Sequence, residues 1–170
     1  KAMRPNTAPG PDCIHSRFIT RANTSIYFAL EIIFNASWKF GVVPTAWRRA
    51  NSFAIFKKGN ISDPSAYRLI SITSVVIRIL ERIWTRRVTK YLVDTNFFST
   101  NQAGFRKLLA THDNIYKMLR EVYSHLRRGK LLPVLFLDVV KAFDRVPHEH
   151  LLYKLHSHAN VQGKAWGWIR

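Results

Sequence analysis

The chain has 170 residues, of which 47% are hydrophobic and 22% charged, a composition that indicates a folded domain and excludes a disordered polypeptide. It carries 27 lysines and arginines against 10 aspartates and glutamates, a formal net charge of +17 at pH 7. This excess is spread along the chain, which excludes a basic tail on a neutral domain. A charge of this size predicts an anionic partner: nucleic acid first, an anionic membrane surface as the weaker alternative. The single cysteine, Cys13, excludes an intrachain disulfide and a cysteine-based zinc site.

No stretch reaches the roughly 18–20 apolar residues of a membrane span, so we expect no membrane as partner. The sequence begins with Lys1 and ends with the apolar run Ala165-Trp-Gly-Trp-Ile-Arg170. Both ends are expected to be cuts through a longer protein.

The first predicted elements follow a rigid loop with Pro5, Pro9, Gly10 and Pro11, after which Asp12 could cap a helix. Apolar residues at helical spacing predict a helix over residues 26–38, ended by Gly41 and Pro44. Residues 51–56 are apolar and β-prone, and they lead into a charged turn over 57–60.

After this turn the sequence predicts a long amphipathic helix, capped by Thr73 or Ser74 and running to about residue 93. Its buried stripe contains Val76, Ile79, Leu80, Ile83 and Val88, and its other face Arg78, Arg82, Arg86, Arg87 and Lys90. A helix over 111–128, a buried strand over 131–137 and a helix over 148–158 follow. This order indicates a mixed α/β or α+β domain.

Asp138 follows the apolar run Leu131-Leu-Pro-Val-Leu-Phe-Leu137 directly. A carboxylate at the end of a buried strand either caps the following turn or binds a divalent metal at the sheet edge. Metal ions held in this way offset charge during phosphoryl transfer. The strand alone leaves both roles open.

The segment Phe136-Leu-Asp-Val-Val-Lys-Ala-Phe-Asp-Arg-Val-Pro-His148 closely resembles the first palm motif of non-LTR, LINE-like retrotransposon reverse transcriptases. Four further segments resemble the family's motifs in the same order, and together they cover nearly the whole chain: Ala8-Pro-Gly-Pro-Asp12; Gly41-Val-Val-Pro44 through Trp47 with Phe56-Lys-Lys-Gly59; Tyr67-Arg-Leu-Ile-Ser-Ile-Thr-Ser74 with Glu81-Arg82; and Asn101-Gln-Ala-Gly-Phe-Arg-Lys107. The sequence departs from the family at Cys13, where Gly is usual, at Leu69, where Pro is usual, and at Leu108-Leu-Ala-Thr111, where Gly-Arg-Ser-Thr is usual.

The resemblance implies a right-hand polymerase fingers region over 1–130 and the start of the palm over 131–170. Asp138 and the backbone carbonyl of Val139 would bind catalytic Mg²⁺, and Asp144 would be structural. Phe143 would lie against the sugar of a dNTP and exclude a 2′-hydroxyl, although core packing explains a Phe there equally well. Lys57 or Lys58, together with Arg68, would contact the triphosphate, while Lys57 and Lys58 could otherwise be a solvated turn.

The implied activity is RNA-directed DNA synthesis, with an RNA template, a DNA primer and dNTPs as partners and a nuclear location. Template-side cations would be Arg78, Arg82, Arg86, Arg106 and Lys107. The family's second carboxylates, on an Asp-Asp hairpin, are expected beyond residue 170, so the isolated chain is predicted to be inactive.

Two alternative functions remain open. The chain could be a non-catalytic nucleic-acid-binding remnant or part of a group II intron maturase, which shares fingers and palm. The spacing of His148, His150, His156 and His158 is poor for zinc, and no cysteine accompanies them. Trp166 and Trp168 could stack on bases, but packing against palm elements outside the chain is the expectation.

Overall fold

The computed structural model describes residues 6–170, which form two compact units. The first contains the residues up to Thr89 together with Lys154–Arg170, and the second contains Lys90–Tyr153. The expected boundary between fingers and palm at residue 130 stays a prediction. Within residues 6–170, no helix combines the length and the apolar character needed to cross a bilayer.

The first unit begins with a short helix, α1 (Ser16–Thr20), and a long one, α2 (Thr24–Phe40). The predicted end of α2 is confirmed, because Gly41 has a φ of +64° and its amide donates to the Ser37 carbonyl. Glycine adopts this left-handed conformation without the steric cost that a side chain brings.

A hairpin follows, in which β1 (Ala50–Phe56) pairs antiparallel with β2 (Tyr67–Thr73). The register places Ile55 opposite Arg68 and Phe56 opposite Tyr67. The first strand was predicted from the sequence, whereas the second was not.

The helix α3 (Val75–Asp94) confirms the predicted long amphipathic helix. Ser74 is its cap, since the Ser74 Oγ accepts from the Val76 amide at 3.1 Å. The predicted stripe is buried at Val76 and Leu80, whereas Ile83 remains 39% exposed.

A tryptophan cluster connects α2 and α3 with the helix α6 (Gly163–Ile169) of the same unit. The Trp168 ring lies 6.3 Å from that of Trp38 and 6.1 Å from that of Trp84, and its indole N–H donates to the Ser37 Oγ at 3.0 Å. The expectation that Trp168 packs on elements outside the chain is therefore wrong. Helices far apart in the sequence cover it in part within this unit.

The second unit contains α4 (Thr111–Leu126) and α5 (His148–Tyr153), both at predicted positions. The backbone then continues into the first unit as a π-helical turn, Lys154–His158. The helix predicted over 148–158 is thus two segments of different helical type.

The predicted palm strand over 131–137 is not formed: these residues have no regular secondary structure. Leu131, Leu135, Phe136 and Leu137 are 78–91% exposed. A strand is stabilised by partners that satisfy its backbone hydrogen bonds. Within residues 6–170 the one sheet consists of β1 and β2, so this apolar segment has no partner.

Candidate nucleotide and nucleic-acid site

The closed end of the β1–β2 hairpin carries the three cations predicted to contact a triphosphate. Lys57 follows β1, Lys58 lies in the turn, and Arg68 is the second residue of β2; all three are exposed. The Lys57 amide donates to the Ala66 carbonyl at 2.8 Å, which continues the ladder by one position.

The register distinguishes the two lysines. Lys57 faces Ala66, and Arg68 faces Ile55, so Lys57 and Arg68 are diagonal neighbours on one face of the hairpin. Diagonal neighbours of this kind are typically about 7–8 Å apart, within joint reach of one polyphosphate. Lys58 is one residue further into the turn and lacks this ladder position.

Local hydrogen bonds fix the loop between the strands. The carboxylate of Asp63 accepts from the Ser65 amide at 2.8 Å and from the Ser65 hydroxyl at 2.7 Å. These bonds hold the pKa of Asp63 below its ordinary value. The Tyr67 hydroxyl donates to the Ile61 carbonyl at 2.8 Å, so the loop is also held by a side chain of β2.

The Pro-Gly-Pro loop packs on the start of α3. Asp12, predicted as a possible helix cap, instead accepts from the Ser74 hydroxyl with one oxygen and from the Ile14 amide, at 3.2 Å, with the other. Gly10 is buried, and a Cβ there would lie 2.5 Å from the Ser74 nitrogen. The glycine is required by this close approach of two backbones.

The predicted template-side arginines of α3 differ in surroundings. Arg78 is half-buried, and its guanidinium donates to the carbonyls of Ala8 and Ser74. Arg82 and Arg86 are exposed. Arg78 therefore connects the loop to the helix, whereas Arg86 is open to solvent.

Glu81 lies on the same helix, α3, and belongs to the segment that resembles the family's second fingers motif. Partial desolvation raises the pKa of its carboxyl, and the positive charge of Arg78 opposes that rise. The side chain is exposed by surface area, so the desolvation comes from neighbouring atoms that shield it only in part.

In the second unit, Asp138 lies exposed in the irregular segment that ends the apolar run. Val139 is 62% exposed, and a turn begins at the next residue. Lys141 has a φ of +51°, and its carbonyl accepts from the amides of Asp144 and Arg145. This turn separates Asp144 from Asp138.

Phe143 is 82% exposed, and its ring lies edge-on to that of Phe105 with the centroids 6.5 Å apart. Packing in a core, the alternative role for Phe143, is therefore limited to this one ring contact.

The two cations predicted to contact the template near Phe105 differ in their contacts. The guanidinium of Arg106 lies over the Phe98 ring at 5.0 Å and so already has a partner within the protein, whereas Lys107 is exposed.

Two departures from the family pattern coincide with left-handed backbone. Cys13 has a φ of +56° and Leu108 a φ of +64°, and the sequence resemblance expects Gly at both positions. Residues with a Cβ are strained in this conformation. The glycine preference thus has a backbone cause that the sequence alone did not reveal.

Across the described part of the chain, no group of three or more His, Cys, Asp or Glu side chains is arranged to hold a metal. His156 packs against the Trp166 ring, with centroids 4.8 Å apart. Oxygen ligands suit Mg²⁺, but Asp138 with the Val139 carbonyl supplies one carboxylate, which is an incomplete site.

Sequence reasoning missed an apolar groove of about 360 Å³ in the first unit, between α1–α2 and α3. Its lining includes Phe34, Trp38 and Trp84, with Glu31 and Arg87 as charged groups. The Trp84 N–H is buried, and residues 6–170 offer it no acceptor. Helical periodicity predicted which positions of α2 and α3 are apolar, but nothing in the sequence indicated that these two helices lie side by side.

Comparison with protein families matches residues 55–170 to the model described as reverse transcriptase (RNA-dependent DNA polymerase). The match therefore includes the end of β1, the strand β2, the helices α3 and α4, and the segment around Asp138.

Individual relatives are proteins of mobile elements, and the jockey and X-element proteins are described as RNA-directed DNA polymerases. The chain is 30% identical over 156 residues to the RNA-directed DNA polymerase from mobile element jockey of Drosophila funebris, an alignment covering 91% of the chain and 17% of that protein. It is 26% identical over 151 residues to the probable RNA-directed DNA polymerase from transposon X-element of Drosophila melanogaster, covering 88% and 17%. It is 30% identical over 151 residues to the Pol polyprotein from type-1 retrotransposable element R2 of Popillia japonica, covering 89% and 20%. The chain thus spans about a fifth or less of the length of these relatives.

Proposed function

The chain belongs to the reverse transcriptase (RNA-dependent DNA polymerase) family, on its non-LTR retrotransposon side, and we propose that it forms part of an enzyme that copies RNA into DNA. The observation that carries this proposal is the family match over residues 55–170, which contains the Asp138 motif. In this role the substrates are dNTPs, the template is RNA, and the primer is DNA. We further propose a nuclear location, where a chromosomal strand can supply the primer.

Asp138 is proposed as a ligand of the catalytic metal, assisted by the Val139 carbonyl. A Mg²⁺ ion held there would offset negative charge on the phosphoryl oxygens. One carboxylate does not complete the two-metal arrangement expected for the family. For this reason we propose that the isolated 170-residue chain does not extend a primer.

Lys57 and Arg68 are proposed to contact the triphosphate of the incoming nucleotide. Their support is the shared hairpin face together with the exposure of both side chains. Lysine supplies a mobile point charge, and arginine a planar fork that binds two phosphate oxygens. Lys58 is the weaker candidate because it lies in the turn.

Phe143 is proposed to limit the space beside the nucleotide sugar, which would favour dNTPs over nucleotides with a 2′-hydroxyl. Its ring is 82% exposed, and the described contact is with Phe105. It is therefore available to a ligand. For the template, the exposed cations Arg86 and Lys107 are better placed than Arg78 or Arg106, which have contacts within the protein, and Arg82 is proposed beside them on its exposure alone.

The test is a chimera in which this chain replaces the aligned 156-residue segment of the Drosophila funebris jockey protein. Primer extension on an RNA template with Mg²⁺ and dNTPs should fall by roughly a thousandfold in Asp138→Asn, because a ligand of the metal is lost. Asp144→Asn changes a carboxylate inside the turn that follows Asp138; it is the matched control and should keep activity within about fivefold. Equal loss in both variants would contradict the assigned role of Asp138.

A second function, nucleic-acid binding without catalysis, is favoured by the net charge of +17 and by the exposed basic side chains of α3. The same chimera distinguishes the two functions. A chimera that binds primed RNA but never extends it supports the binding function, whereas extension that depends on Asp138 supports the polymerase.

A further inference from the structure

The helix α4 of the second unit carries a stripe in which tyrosines and arginines alternate. The stripe consists of Tyr116, Arg120, Tyr123 and the C-cap residue Arg127, whose backbone keeps helical angles just past Leu126, at spacings of four, three and four residues. These spacings place all four side chains on one face of the helix, which extends for about 16 Å along the axis. Tyr116 is 70% and Tyr123 61% exposed, so both rings are open to solvent.

The positive charge of the stripe is largely uncompensated. Arg120 approaches Glu121 at 3.8 Å with both side chains exposed, a contact of little strength. Arg127 and the adjoining Arg128 have no ion-pair partner within residues 6–170. The other acidic residue of α4, Asp113, is engaged at the helix start, where it accepts from the Ala110 amide at 2.6 Å.

The side chains of the last turns of this helix enclose an open, solvent-facing space. A cavity of about 480 Å³ is lined by Arg120, Tyr123, Ser124, Arg127 and Arg128. This volume lies in the range of small-ligand sites and can admit one nucleotide unit. Three guanidinium groups, the hydroxyls of Ser124 and Tyr123, and one aromatic ring therefore line a single open cavity.

This combination matches a particular chemistry. Guanidinium groups bind phosphates, and an exposed tyrosine ring stacks on a base that is not already stacked in a duplex. An acidic peptide would use the charges but offers no flat bases for the rings. A membrane-binding helix is amphipathic, as α4 is, but Tyr116 and Tyr123 lie among the arginines and not at the centre of the apolar face of Ile115, Leu119, Val122 and Leu126. Rings placed between guanidinium groups favour stacked bases over lipid.

We propose that the Tyr116–Arg127 stripe, with Arg128, is a binding surface for single-stranded RNA. The choice of RNA rests on the proposed function, in which RNA is the strand that is copied. The surface is distinct from the cations of the hairpin and α3, and it would hold the strand by its phosphates and one or two stacked bases.

The test measures binding of the 170-residue chain to a fluorescein-labelled oligouridylate by anisotropy, at several salt concentrations. The variant Arg120→Gln/Arg127→Gln/Arg128→Gln should weaken binding at least about tenfold and reduce the slope of log K against log salt by about 2, since each single-strand phosphate contact contributes about 0.7. Tyr123→Ala should weaken binding by about tenfold, whereas Tyr123→Phe should not, because stacking requires the ring and not the hydroxyl.

The matched control is Arg21→Gln/Arg48→Gln/Arg49→Gln, which removes the same charge from exposed residues of the first unit. If the control weakens binding as much as the stripe variant, general charge and not this surface binds RNA, and the proposal is wrong. It is also wrong if the stripe variant binds RNA normally but loses binding to phosphatidylserine vesicles or polyglutamate. If circular dichroism shows that the triple variant is unfolded, the proposal is tested by the two Tyr123 variants: equal binding by Tyr123→Ala and Tyr123→Phe would contradict it.

The outcome is separable from that of the proposed function. Asp138→Asn should bind the oligouridylate as the unaltered chain does, because the metal ligand is not part of the stripe. If the stripe does not bind RNA, primer extension by the chimera can still depend on Asp138. If primer extension does not depend on Asp138, the stripe can still bind RNA.

Discussion

Replacing Gly10 with alanine tests the contact between the Pro-Gly-Pro loop and the start of α3. The new Cβ would lie 2.5 Å from the Ser74 nitrogen and 2.6 Å from the Thr73 carbonyl carbon. Both are backbone atoms, so no side-chain rotation can relieve the overlap, and the loop must move. Overpacking of this kind costs about 1–3 kcal/mol.

Movement of the loop also weakens two hydrogen bonds that hold it. The Ser74 hydroxyl donates to Asp12, and Arg78 donates to the Ala8 carbonyl. At about 1 kcal/mol for each bond, the expected total for Gly10→Ala is about 3–5 kcal/mol of unfolding free energy. For a chain of this size the loss corresponds to a Tm lower by about 6–20 °C.

Tryptophan fluorescence measures this loss in the relevant unit, because all five tryptophans belong to it: Trp38, Trp47, Trp84, Trp166 and Trp168. The matched control is Gly167→Ala in α6 of the same unit. A Cβ there meets no heavy atom within 4 Å, so stability should stay unchanged or rise by up to about 1 kcal/mol. A Tm for Gly10→Ala within about 2 °C of that control would refute the proposed close approach.

Four further changes give distinct expectations. Trp168→Phe keeps the ring but removes the donor to Ser37, so denaturant titration should show a loss of about 1 kcal/mol plus any loss of ring contact; no loss would contradict the bond. Cys13→Gly should raise the Tm, since it relieves a left-handed residue worth about 1 kcal/mol, whereas Cys13→Ala should not. Because the folded-state pKa of Glu81 is raised, its charged form opposes folding above that pKa; Glu81→Gln should stabilise the chain at pH 7 but not below pH about 4, and a pH-independent effect would exclude the titration. The isolated chain should show no primer extension above that of Asp138→Ala, and any excess would disprove its proposed inactivity.

The sequence predicted those elements whose signals are local. Helical periodicity located α2 and α3, and single residues at their ends, Gly41 and Ser74, fixed where each one stops or starts. The strand β2 was not predicted, because the adjacent apolar residues Leu69 and Ile70 break the period-two alternation that marks a strand, although Tyr67–Thr73 contains β-branched residues.

Contacts between distant segments could not be predicted. Trp168 meets Ser37 across 131 positions, and Ser74 meets Asp12 across 62. Nothing in the local pattern of either segment identifies its partner. For the candidate site, the cations were identified by residue type and motif, but only the strand register separated Lys57 from Lys58.

The incorrect prediction of a strand over 131–137 bears on the chemistry of Asp138. An apolar run on both faces of an extended segment is stabilised when neighbouring strands bind its backbone and other elements cover its side chains. Here Phe136 and Leu137 are 78% and 84% exposed, so the segment gains little from burial. A carboxylate at its end is therefore not held in one geometry, and a ligand that must first be ordered binds a metal more weakly than a preorganised one. Pairing of this segment and metal binding by Asp138 should consequently be coupled, each favouring the other.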